Sequence, residues 1–75
     1  MDTDTQIRDD VQRELFYNPG INAASIGVAV QDGIVTLTGT VDTYAQKLET
    51  LRAAERIAQV KAVACELQVR LPGLY

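Results

Sequence analysis

The chain predicts an α+β fold: an α-β-β-α-β two-layer sandwich, with two helices packed on one face of a three-stranded mixed sheet. Three observations carry that expectation. Asp32-Gly33 divides two β-rich runs within SIGVAVQDGIVTLTGTV, residues 25–41, and Asp-Gly between alternating apolar residues is a strong hairpin signal. Two stretches with apolar residues at helical spacing flank that hairpin. A third run, VKAVACELQVRL at residues 60–71, alternates apolar and polar residues as a half-buried strand does.

The first helix is expected from about residue 4 to residue 17. Thr3 or Asp4 can cap it, and acidic residues crowd its early turns, where the helix dipole favours them. Ile7, Val11 and Leu15 form one narrow apolar stripe, broadened at its end by Phe16 and Tyr17. Asn18-Pro19-Gly20 stops the helix, because proline cannot continue it and glycine permits the turn. Residues 22–25 are expected to form one 3₁₀ turn, with Ile21 tucked inward.

The hairpin strands follow at about 26–31 and 34–41. A two-residue type I′ turn needs positive φ at both central positions, which Asp32 tolerates and Gly33 accepts. Counting outward pairs Val30 with Val35, Val28 with Leu37 and Ile26 with Gly39 on one side, the core face. Gln31/Ile34, Ala29/Thr36 and Gly27/Thr38 fall on the other side.

Asp42-Thr43 opens the second helix. Thr43 as N-cap with Gln46 three residues on makes a capping box. Tyr44, Leu48, Leu51, Ala54 or Glu55, and Ala58 trace one face, widened by Ile57. Ala45, Ala53 and Ala54 allow close approach to a sheet, and the helix is expected to end near Gln59. A right-handed crossover then sets the third strand parallel to the second and beside it; insertion beside the first strand is the alternative. Pro72-Gly73 ends that strand, so one domain over 1–75 is expected, with a core at about 5–71 and a tail or linker at 72–75.

Composition narrows the function. Seventy-five residues, 47% hydrophobic and 23% charged, describe one small globular domain. There is no histidine, which removes the commonest general base and metal ligand together. The single cysteine, Cys65, precludes an internal disulfide and reads as a small core residue, an intermolecular bridge or a reactive thiol being the alternative. The net charge of −3 sits in residues 1–15, while charges cancel in the rest. With no basic face, nucleic-acid binding and purely electrostatic docking on anionic lipid are both disfavoured. No run of 18 apolar residues suggests a transmembrane span, and the acidic N-terminus is unlike a signal peptide; compartment stays open. Asp9 and Asp10 point about 100° apart on a helix and do not converge. No nucleophile–base pair, cofactor motif or metal-ligand set emerges, so the reading is non-enzymatic, with no cofactor.

The stripe Ile7…Val11…Leu15 before Asn18-Pro19, then Ile26-Gly-Val28, then Gln31-Asp-Gly-Ile-Val-Thr-Leu-Thr-Gly39-Thr-Val41, resembles a BON domain, the small module of bacterial osmotically induced, envelope and nodulation-related proteins. The alanine-bearing helix and the Val60…Val63…Leu67…Val69 strand continue the likeness to Leu71. Two positions depart from the family pattern. Gln59 stands where a glycine usually precedes the third strand, implying a gentler turn, and Cys65 stands where mid-strand asparagine is usual. The resemblance implies a non-enzymatic module contacting phospholipid membrane or envelope components, mostly periplasmic and often in tandem copies. Residues 70–73 look like the seam after one such copy.

Against that background, Phe16 and Tyr17 are candidates for an interfacial aromatic anchor; otherwise one of them closes the core edge. Ile34, Thr36 and Thr38, with Gly27, Ala29 and Ala64, make a flat, small outer sheet face, either simply wet, as one face of a small sheet commonly is, or stacked on another domain or copy, since Ile34 and Ala64 leave it incompletely polar. Asp32, Gly33 and Gly39 are the signature positions with structural duties. Gly39 is expected at close helix–sheet packing or a bulge, a ligand-facing role being the alternative. The readings are therefore a membrane- or envelope-binding module, a repeat packing on sister copies, or a small-ligand or ion sensor.

Overall fold

The computed structural model describes residues 3–70. The elements run α1 (Thr3–Phe16), a 3₁₀ turn (Ala23–Ser25), β1 (Ile26–Gln31), β2 (Ile34–Val41), α2 (Tyr44–Glu55) and β3 (Ala62–Val69). The sheet order is β1-β2-β3, with β1 antiparallel and β3 parallel to β2. The mixed sheet is thus the one expected, and not the arrangement with β3 beside β1. The expected Pro72-Gly73 stop and the tail at 72–75 lie outside the described residues.

The hairpin closes as its residues require. Asp32 and Gly33 take φ of 54° and 81°, and the strands pair Val30 with Val35, Val28 with Leu37 and Ile26 with Gly39. β3 continues that register, setting Val63, Cys65 and Leu67 beside Val35, Leu37 and Gly39. The resulting apolar floor meets Ile7, Val11 and Leu15 of α1, with Ala53 and Ala54 of α2. Ile21 is buried against the same core, as expected, and Cys65 is half-buried beside it.

Asp4, a candidate cap by sequence, lies inside α1 and reaches across to the hairpin instead. The amides of Asp32 and Gly33 donate to its Oδ2 and Oδ1 at 2.9 and 3.1 Å. The closing hydrogen bonds of a two-residue turn run between Gln31 and Ile34 and use neither central N–H, so one carboxylate can accept both.

In α2 the capping box forms with one change. Gln46 N–H donates to Thr43 Oγ1 at 3.1 Å, while Gln46 Oε1 accepts from Asp42 N–H, one residue ahead of the cap, at 3.0 Å. The buried face differs from the expected one. Thr50, Ala53 and Ala54 are buried, Leu48 and Leu51 only half so, and Tyr44 and Ala58 are exposed. Two adjacent alanines let the helix backbone approach the sheet, and this narrow face displaces the leucines to its flanks. Thr50 tolerates burial because its hydroxyl donates to the Gln46 carbonyl at 2.8 Å. The helix stops at Glu55, short of Gln59. Residues 56–59 turn through bonds from Ile57 N–H to Ala54 O and from Val60 N–H to Ile57 O. Gln59 needs no left-handed backbone there, since Asp32 is the sole non-glycine with positive φ among the described residues. β3 accordingly begins at Ala62 rather than Val60.

Gly39 also departs from expectation. Its φ is 124°, a region glycine alone enters without strain, and a Cβ there would run into the Ser25 carbonyl oxygen. The close approach is therefore backbone to backbone, where the 3₁₀ turn passes into β1; it involves neither α1 nor α2, and the unbroken pairing of Gly39 with Ile26 and Leu67 leaves no bulge there.

Candidate interaction surface

At the end of α1 the sequence Leu15-Phe16-Tyr17 advances about 100° per residue. Because Leu15 is fully buried, the next two side chains swing outward. Phe16 and Tyr17 are 73% and 74% exposed, so neither closes the core edge as the structural alternative supposed. They meet edge to face, ring centroids 5.5 Å apart at 81°, the arrangement aromatic quadrupoles favour.

Beside them opens a groove of about 480 Å³ between α1, the 3₁₀ turn and β1. Leu15, Phe16, Ala23, Ile26 and Val28 are among its apolar lining residues. Ile26 and Val28 face the helix layer yet stay half-exposed, because α1 covers only part of β1. Arg13, at the groove's rim, is 3.7 Å from Asp10. On the side toward α2, Arg56 and Glu14 are also 3.7 Å apart. Asn18 fixes the chain after the aromatics: its Oδ1 accepts from Gly20 N–H at 3.0 Å, and its Nδ2 donates to Glu49 Oε2 at 3.3 Å.

The other candidates lie elsewhere. Ile34, Thr36 and Thr38 point to the outer sheet face, away from both helices. Ile34 is 45% exposed there, and Thr36 is half-buried between its lateral neighbours Ala29 and Ala64. The five candidate contact residues thus divide between two opposite surfaces. Asp32, Gly33 and Gly39 belong to neither; they hold the turn and the close backbone approach described above.

Sequence reasoning missed the groove, the reach of Asp4, and Tyr44, which was expected to face inward. Tyr44 is 62% exposed with Lys47 Nζ 5.8 Å from its ring centroid. A groove is a gap between elements distant in sequence, and no local pattern announces one. Asp9 and Asp10 each lie near an arginine on their own helix, Arg8 at 3.5 Å and Arg13 at 3.7 Å, and form no joint site. Among the described residues no group of three or more His, Cys, Asp or Glu side chains converges on a metal position. Nor is any described helix long and apolar enough to cross a membrane.

Compared with known proteins, residues 3–70 match the family model described as the BON domain. No curated protein matches the chain.

Proposed function

Since the chain belongs to the BON domain family, we propose that it is an interaction module that docks on phospholipid membrane or an envelope component through Phe16 and Tyr17. The family is one of lipid- and envelope-binding modules and is generally non-enzymatic. The observation that carries the choice of surface is the pair of neighbouring aromatic rings, each about three-quarters exposed, at the mouth of an apolar groove. Exposing two such rings to water is unfavourable; the boundary between headgroups and acyl chains suits Tyr17, whose ring ends in a hydroxyl, and gives the wholly apolar Phe16 ring a place to insert. The net charge of −3 adds no general attraction to anionic lipid, so this docking rests on apolar insertion. On this reading the single domain over 1–75 serves the envelope, in an osmotic or stress-related role.

Co-sedimentation with neutral and with anionic vesicles tests it. The chain is expected to pellet with both, with little dependence on salt, because screening acts on charge and not on apolar contact. The Phe16→Ser/Tyr17→Ser variant is expected to stay in the supernatant. No pelleting of the unaltered chain under either condition removes membrane docking.

A second reading, packing on sister copies, is favoured by the outer sheet face. Its central row of Ala29, Thr36 and Ala64 is small, and Ile34 stands exposed at one end. Concentration-dependent line broadening at Thr36, Thr38 and Ala64 is its expected NMR signature.

A further inference from the structure

The sheet has two edges, and they differ. β3 carries Glu66 and is flanked by Lys61 and Arg70, charges of the kind that keep an edge from pairing. β1, Ile26-Gly-Val-Ala-Val-Gln31, has no charge, no proline and no bulge. In a two-residue hairpin Gln31, Ala29 and Gly27 exchange hydrogen bonds with β2. The backbone groups of Val30, Val28 and Ile26 therefore point out of the sheet. Among these, only the Ile26 N–H has a backbone partner here, the Ala23 carbonyl. The side chains of Ile26 and Val28, alternate residues of this edge, line the apolar groove.

We propose that β1 pairs antiparallel with β1 of a second copy, about a two-fold axis through Val28, joining two sheets into one of six strands. The strand is nearly palindromic about that residue, which is what self-pairing requires. Val28 meets its counterpart, Gly27 meets Ala29, and Ile26 meets Val30, so like sizes face each other throughout. Val28 N–H and C=O exchange bonds across the axis, and each Val30 N–H donates to the opposite Ile26 carbonyl, which leaves the Ile26 amide with Ala23. Residues directly opposed in antiparallel strands project to the same face. Both helix layers consequently lie on one side, and each copy's Val28 approaches the other's open groove. The pairing buries the unpaired edge and part of the groove lining together. Each copy's net charge of −3 opposes association, so the dimer strengthens as salt rises. This pairing does not depend on membrane docking, and it leaves the outer sheet face free.

Sedimentation velocity across micromolar to millimolar concentrations is expected to show a monomer–dimer equilibrium that tightens with salt. A synthetic chain N-methylated at Val28 loses the outward N–H and no backbone bond within the monomer. Its dimer dissociation constant is expected to rise about tenfold or more, with an unchanged circular dichroism spectrum. In a mixture of differently labelled chains, intermolecular NOEs are expected between Val28 and Val28 and between Ile26 and Val30. A monomer at every concentration overturns the proposal. So does a dimer whose NOEs come from Thr36 and Ala64, or one indifferent to N-methylation in a chain that keeps its fold. Vesicle pelleting by the N-methylated chain reports separately on the proposed docking.

Discussion

At its N-terminal end α1 is fastened: the Asp4 carboxylate accepts both amides of the hairpin turn, at 2.9 and 3.1 Å. At its C-terminal end the same helix turns Phe16 and Tyr17 into solvent beside an open groove. Three buried residues, Ile7, Val11 and Leu15, run between the two ends along one stripe. The first end spends polar groups on holding the fold, with the turn's spare amides consumed. The second leaves apolar surface in solvent, beside Ile26 and Val28, which the helix layer only half buries. A chain this small has little stability to spare, so apolar surface left in water at one end marks where a partner is expected.

Substitutions at the two ends, and at Gly39, where the β2 backbone lies against Ser25, sharpen this contrast. The largest effect is expected at Gly39. Gly39→Ala forces an L-residue into φ of 124° and sets its Cβ against the Ser25 carbonyl oxygen. A loss of about 3 kcal/mol or more in urea-monitored stability is expected, and a change under about 1 kcal/mol would show that this close contact relaxes freely.

Asp4→Ala comes next. It leaves the Asp32 and Gly33 amides to water, and since this site is partly exposed the expected loss is about 1–2 kcal/mol. Amide hydrogen exchange at Asp32 and Gly33 is expected to quicken more than exchange in β3; an unchanged rate at the turn would break the picture of a fastened end.

The smallest effect on stability is expected at the open end. Phe16→Ser/Tyr17→Ser should stay within about 0.5 kcal/mol of the unaltered chain, as exposed positions usually do, while vesicle binding is lost. If the pair instead destabilised the fold strongly, the rings would belong to the core and the contrast between the ends of α1 would fail.

How far these features were legible depended on the range of the interaction. Asp32-Gly33 specifies its own turn, and the turn then dictates every pair from Val30/Val35 to Ile26/Gly39 by counting. Thr43 and Gln46 announce the second helix in the same local way. The buried face of α2 was not legible, because Leu48, Leu51, Thr50 and the two alanines offer competing stripes. The close fit to the sheet decides among them. The exposure of both aromatics was hidden for a similar reason: Phe16 and Tyr17 are apolar enough for a core, and it is the burial of Leu15 at the end of α1 that turns them outward.

By itself the sequence determined the order of elements, the hairpin register and the apolar floor, since each follows from neighbouring residues and a fixed backbone period. The tertiary structure decided which small face of α2 lies down, what Gly39 lies against, where Asp4 reaches, and that a groove remains beside β1. Those outcomes depend on distances between segments far apart in the chain, which side-chain volume and backbone geometry set only once the layers have met.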